Sequence, residues 1–182
     1  MSDFEYASVV VSIVLALGIA DILRFIADTF REPGGRKLFW VHLLWVLVLL
    51  QLHVEFWWRM WSFRDLITVG SGLGFVLLGP ALLFTATRTL LPTNDSDTDL
   101  EALYFRRKSL FFVFLALLNI WALAFSPWSA DTSGQNITVV LGGFAMVMIL
   151  FAACIFSKNL LLHKGVVSLL VALEVLEMFY GS

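Results

Sequence analysis

Ionisable side chains inside long apolar stretches are the residues of this sequence whose types and spacing could do chemistry. The chain has 182 residues, of which 60% are hydrophobic and 14% are charged. A charged side chain at the centre of a bilayer costs about 2.5–3.5 kcal/mol, so such residues usually face a bundle interior or a cavity. Six of them fall at a similar predicted depth near one membrane face, and we interpret them as a candidate ion or proton relay: Glu5, His53, Glu55, Arg59, Glu174 and Glu177.

The spacing of these six residues leaves two interpretations open. Glu55 and Arg59 are four apart in the acid-first order, which predicts an ion pair along one helix. Glu174 and Glu177 lie one turn apart, whereas His53 and Glu55 lie on nearly opposite sides of a helix. Either the six assemble into a cluster that handles protons or a divalent cation, or they are an interfacial pair, a packed histidine and a hydrated helix end.

A second charged group lies near the other membrane face. Asp21, Arg24 and Asp28 are spaced so that they share one side of a helix. Gly18 lies close to the same side and would let another helix approach. The spacing predicts either an ion pair that reaches the interface or a charge gate on the inner side of the membrane.

The glycines of the third apolar stretch predict a helix contact. Gly70 and Gly74 have the small-xxx-small spacing of closely packed membrane helices. No Gly-Lys-Ser/Thr follows them, which excludes a P-loop. Gly79-Pro80 predicts a kink, and a broken helix that lines a cavity is the alternative.

Cofactor chemistry finds little support in the cysteine and histidines. A single cysteine, Cys154, excludes an intramolecular disulfide and a cysteine metal cage, and its apolar surroundings favour a buried side chain. His53 has no histidine partner at its depth, which argues against a bis-histidine haem. His163, beside Lys164, is interpreted as a solvated loop residue. We identify no cofactor.

Hydropathy predicts the elements that must position these residues. A membrane helix needs about 20 apolar residues. Six stretches approach this length, and polar or Pro-Gly-rich segments separate them, which predicts one all-α, polytopic membrane domain. The "MSDFEY" start lacks the basic region of a signal peptide. The six predicted spans are about 5–27, 38–61, 66–91, 109–128, 137–156 and 165–180.

Basic residues predict the orientation of these spans. Nine lysines and arginines fall in or beside the first, third and fifth connections, against Arg59 and Arg64 at the opposite ends. Because Lys and Arg stay on the cytoplasmic side, both termini are predicted to lie outside. Trp57, Trp58 and Trp61 would mark the outer interface.

Two segments of the first two spans are similar to segments of known membrane proteins. "SIVLALGIADIL" and "WVHLLWVLVLLQLHVEFWW" resemble a set of small bacterial polytopic membrane proteins. The resemblance implies a multi-pass protein of the bacterial inner membrane and brings no activity with it. The expected partners are the lipid bilayer and a second copy or another membrane protein, while a net charge of −2 gives no sign of nucleic-acid binding.

Three functions remain open at this point. Acids and histidines at membrane depth favour a channel or carrier for protons or a small cation. Small size favours a non-catalytic structural or accessory subunit of a larger membrane complex. A membrane-embedded, metal-dependent enzyme is the third interpretation, and the lack of a catalytic motif argues against it.

Overall fold

The computed structural model describes residues 3–31, 35–61, 64, 72–93, 98–125 and 137–180, without the side chains of residues 72, 125, 137 and 177–180. This part of the chain is helical and contains no β-strand. The predicted all-α membrane bundle is therefore confirmed. Its helices are α1 (Asp3–Arg31), α2 (Trp40–Met60), α3 (Gly72–Leu90), α4 (Leu100–Phe125), α5 (Ile137–Phe156) and α6 (Leu160–Tyr180).

Helix boundaries differ from the predicted spans where polar residues extend a helix beyond the apolar stretch. α4 begins nine residues before Ser109, and α6 begins five residues before Gly165. Hydropathy identifies the part of a helix that lies in the bilayer. The backbone hydrogen bonds of the helix continue through the basic residues beside that part. Helices α1 to α5 are long and apolar enough to cross a membrane. That α6 also spans the membrane stays a prediction.

The helices alternate in direction, so each end of the bundle has its own composition. We call one end the basic end: α1, α3 and α5 finish there, beside most of the lysines and arginines. The tryptophan end holds Trp57, Trp58 and Trp61. There Phe4 packs edge-on against Trp61, with ring centroids 5.5 Å apart. The Trp57 indole N–H donates to the Ser12 hydroxyl over 3.2 Å.

α2 is the central helix of the bundle. It contacts α1, α3, α4 and α6, while α5 packs mainly on α4. Its Trp45 lies in an aromatic cluster, with ring centroids 5.2 Å from Phe111 and from Phe112 and 6.4 Å from Phe151. This aromatic cluster fills the interior in the half of the bundle nearer the basic end.

A short backbone contact joins two connections at the basic end. The Lys37 carbonyl accepts a hydrogen bond from Leu100 N–H over 3.2 Å. Asp99 precedes α4, and its Oδ1 accepts hydrogen bonds from the Glu101 and Ala102 N–H groups at 3.0 Å each. Its Oδ2 lies 3.0 Å from the Lys37 ammonium. Asp99 is thus the N-cap of α4 and also holds the α1–α2 connection.

Candidate functional site

A cavity between α2 and α6 brings polar side chains of two helices to one space. Its volume is about 300 Å³. Gln51 from α2 and Glu174 from α6 line it, so the packing of α2 against α6 brings an amide and a carboxylate to one space. The rest of the wall is aliphatic, formed by Leu44, Leu47, Val48, Leu50, Val171 and Val175.

A line of polar side chains leads from this cavity toward the tryptophan end. Gln51 Nε2 donates to Glu55 Oε1 over 3.2 Å, and Glu55 Oε2 lies 3.7 Å from Arg59 Nη2. The residues are four apart, so they follow one side of α2. The Arg59 side chain is 60% exposed and that of Glu55 26%. The predicted ion pair is present, and Gln51 connects it to the cavity.

His53 lies on the other side of α2 and packs against α1. Its ring is fully buried, and its Nδ1–H donates to the Leu49 carbonyl over 2.7 Å. The ring lies directly on Gly18: a Cβ atom there would be 2.8 Å from His53 Cδ2. The bond to Leu49 leaves Nε2 without a proton, and this atom has no hydrogen-bond partner among the described residues. His53 is therefore separated from Glu55 and serves helix packing.

Two members of the predicted relay are placed only by their helices. Glu5 is an exposed residue in the first turns of α1, at the tryptophan end. Glu177 belongs to α6, and its side chain lies outside the described residues. The structure thus brings Gln51, Glu55 and Arg59 into one line and Glu174 to the same cavity. The wider relay stays a prediction.

The charged group of α1 joins two helices. Asp21 Oδ1 lies 3.1 Å from Arg24 Nη1, as its spacing predicts. Its other oxygen lies 3.2 Å from Arg88 Nη1 of α3, and the Asp21 side chain is only 17% exposed. Asp28 is exposed one helical turn or more beyond this pair. Asp21 therefore ties α1 to α3, a contact between helices that spacing within α1 could not indicate.

A buried polar network at the basic end was not predicted from the sequence. Lys108 is 4% exposed, and its ammonium donates to the Cys154 carbonyl over 2.8 Å and to the Ile155 carbonyl over 2.6 Å. The last carbonyls of a helix have no partner within that helix. Lys108 of α4 supplies the donor for these carbonyls and so fixes the end of α5.

His163 extends the same network to α6. It is fully buried, so the prediction of a solvated loop residue was wrong. Its Nε2–H donates to the Ser157 carbonyl over 3.1 Å, which leaves Nδ1 to accept from the Tyr104 hydroxyl over 2.8 Å. Three leucines, Leu160 to Leu162, directly precede His163 in the sequence, and this is the signal that could have placed it inside a helix.

Among the described glycines, Gly18 and Gly79 lie in close helix contacts, and such a contact was predicted for Gly18. Gly70 lies outside the described residues, and a Cβ at Gly74 would meet no atom within 4 Å. Within the described part of the chain Gly74 makes no close contact, and packing through Gly70 and Gly74 stays a prediction. At Gly79, in contrast, a Cβ would lie 2.6 Å from the Trp121 ring. The Trp121 N–H donates to the Phe75 carbonyl over 2.8 Å, one turn before Pro80.

Metal binding and likeness to known proteins add no further site. Over residues with described side chains, no group of three or more His, Cys, Asp or Glu could hold a metal ion. Comparison with protein-family models, curated proteins and solved structures found no match to this chain. Fold and composition together make it a multi-pass membrane helix bundle.

Proposed function

We propose that the protein is a membrane carrier for protons or a small cation, and that Glu174, Gln51 and Glu55 handle the cation. One observation carries the proposal. Gln51 lines the same cavity as Glu174 and hydrogen-bonds to Glu55, so one amide lies between carboxylates of two neighbouring helices.

Membrane energetics favour a cationic cargo for such a site. A carboxylate in an apolar environment is expensive unless a proton or a cation neutralises it. Among the described residues that line the cavity with Glu174, Gln51 is polar and the others are aliphatic.

The aromatic cluster favours a carrier over an open pore. Trp45, Phe111 and Phe112 are almost fully buried, and they fill the bundle interior beside Leu44, one of the residues that line the cavity. A cation that crosses the membrane would require this packing to rearrange. Alternating exposure of one site to the two sides would meet that requirement.

Proteoliposomes that contain a pH-sensitive dye test the proposal. We expect wild-type protein to dissipate an imposed pH gradient faster than protein-free vesicles do. Glu174→Gln should slow this rate at least about tenfold, because the neutral amide cannot take up a proton. Glu101→Gln is the matched control at the basic end and should retain the wild-type rate. Equal rates for wild-type and protein-free vesicles would contradict the proposal.

An accessory subunit of a larger membrane complex is the second candidate, and α5 favours it. Val139, Ile149 and Phe156 are exposed along this helix, which packs mainly on α4. A second copy or another membrane protein could cover this apolar face, and so could lipid. The mass of the particle purified in mild detergent distinguishes them, because a monomer of 20.5 kDa with lipid alone would remove this support. Location in a bacterial inner membrane belongs to the same proposal.

A further inference from the structure

We infer that the α2–α6 cavity binds a lipophilic organic monocation, with its charge at Glu174 and its apolar body against the aliphatic wall. This inference names a second cation, besides the proton, for the site of the proposed function, and only its role as cargo rests on that proposal. It follows from the volume of the cavity, the composition of its wall and the orientation of Gln51.

The volume of the cavity exceeds what a proton or a bare ion requires. Its 300 Å³ lies at the lower end of the range for small-molecule sites, which is about 300–1,000 Å³. One water molecule occupies about 30 Å³ in the liquid. A site built only to transfer protons would need a few ordered waters or direct contact between its side chains. The space between α2 and α6 is large enough for an organic molecule of modest size.

The composition of the wall argues against a hydrated inorganic cation. Such an ion exchanges its water shell for several oxygen ligands, about six to eight for Ca²⁺. Among the described residues of the wall, Gln51 and Glu174 have side-chain oxygens, and the other six are leucines and valines. An organic cation gives up little hydration around its apolar body. Burial of that body against aliphatic side chains is favourable, at about 25 cal/mol per Å².

The orientation of Gln51 suits the same ligand. A carboxylate can only accept hydrogen bonds, so the Gln51 group 3.2 Å from Glu55 Oε1 must be the NH₂ group. The positive end of the amide dipole therefore lies at Glu55, and the Gln51 carbonyl oxygen is its negative end. The Glu174 carboxylate supplies the full negative charge on the facing helix. The Glu174 carboxylate and the Gln51 carbonyl oxygen both attract a positive charge in the cavity.

Equilibrium dialysis with a matched pair of probes tests this inference. The cationic probe is benzyltrimethylammonium, whose charge does not change with pH. The neutral probe is 2,2-dimethylpropylbenzene, which has the same shape with carbon in place of nitrogen. Purified protein in detergent is compared with protein-free micelles, so that partition of either probe into micelles is subtracted. Melting temperature and particle size in detergent establish that each variant is folded.

We expect saturable binding of the cationic probe to wild-type protein. Glu174→Gln should weaken it at least about tenfold, since the main attraction is lost. Val171→Phe, which keeps Glu174 and fills the cavity, should weaken it as well and serves if Glu174→Gln fails to fold. Glu101→Gln should bind as wild type does. The neutral probe should bind equally weakly to wild type and to Glu174→Gln.

Each contrary result has a defined meaning. No saturable binding of the cationic probe, or equal binding to wild type and Glu174→Gln, overturns the inference. Neutral and cationic probes that bind wild type alike would assign the cavity to an apolar occupant such as an acyl chain. Gradient dissipation without probe binding leaves the proposed function standing and removes this inference. Probe binding without gradient dissipation leaves the binding site standing and removes the proposed function.

Discussion

Gly18 shows at the scale of one residue how a missing side chain sets a helix contact. It lies under the ring of His53, which is fully buried and fixed by its hydrogen bond to Leu49. The ring cannot move aside without leaving its Nδ1–H without an acceptor. Gly74 is also a glycine in a helix, but a Cβ atom there would meet no other atom within 4 Å. The two glycines therefore make a matched pair for mutation.

We expect Gly18→Ala to lower the free energy of unfolding by about 1–3 kcal/mol, because the added methyl overlaps the His53 ring. Gly74→Ala should leave stability unchanged or raise it slightly, as alanine favours a helix. Thermal melts in detergent measure both effects. The double variant Gly18→Ala/His53→Ala should recover part of the loss, since it returns the space. A Gly18→Ala protein that melts like wild type would place the His53 ring elsewhere.

Residue spacing predicted the polar contacts within one helix and missed those between helices. The Glu55–Arg59 and Asp21–Arg24 pairs follow from the turn length of a helix, and both are present. The partner of Asp21 on α3 depends on how two helices meet, which no spacing within one helix specifies. The presence of Glu174 and Gln51 at one cavity has the same origin. Side chains far apart in sequence become neighbours only through packing.

At the scale of elements, the start of α4 depends on a capping residue and on a neighbouring connection. Hydropathy places the span well inside the helix, because it does not detect a polar first turn. Asp99 accepts the free N–H groups of that turn and also pairs with Lys37. The backbone N–H of Ala102 and the Lys37 ammonium hold the pKa of Asp99 below its ordinary value of 3.8. The Asp99 carboxylate raises the pKa of Lys37 above 10.5.

The pH dependence of stability should reveal this pairing. A carboxyl group with a lowered pKa stabilises the fold above its ordinary pKa, and the effect is lost as pH falls through the lowered value. We therefore expect Asp99→Asn, which keeps a capping oxygen, to melt below wild type at pH 7. The difference should shrink below pH 3.8. Asp99→Ala, which also removes the cap, should melt lower still at pH 7.

Melts of wild type and both variants from pH 7 down to pH 3 measure this behaviour. The three proteins differ only at residue 99, so the differences between their melts report Asp99 and its neighbours. Glu101→Gln is the nearest control, because the Glu101 carboxylate lies 3.9 Å from Lys37 and does not cap the helix. A difference between Asp99→Asn and wild type that stays constant over the whole range would show that the charge of Asp99 contributes nothing.

At the scale of the whole molecule, the alternation of helices agrees with the charge distribution. Because successive helices run in opposite directions, the first, third and fifth connections lie at one end of the bundle. Most lysines and arginines therefore lie at that end, as their positions in the sequence predicted. Composition predicted this arrangement because a bilayer permits only a few ways to place charged segments. Composition could not predict that α2 would be the central helix. Its central position follows from helix packing. The polar residues on two sides of α2 are consistent with that position, because neither side can face lipid.

Accessibility to an impermeant thiol reagent tests the orientation. Gly35→Cys lies in the α1–α2 connection at the basic end and is exposed. Ser133→Cys lies between α4 and α5, outside the described residues. In intact cells we expect Ser133→Cys to react and Gly35→Cys to react only after permeabilisation. Cys154 is fully buried and should give little background. The reverse pattern of labelling would invert the topology.

The position of Lys108 also has a consequence for biosynthesis. Its two acceptor carbonyls belong to Cys154 and Ile155, so the first of them is made 46 residues later. At a synthesis rate of about 5–20 residues per second, this gap lasts about 2 to 9 s. During that interval the ammonium needs water or lipid phosphate. We therefore expect the start of α4 to keep contact with water or lipid headgroups until α5 has been made.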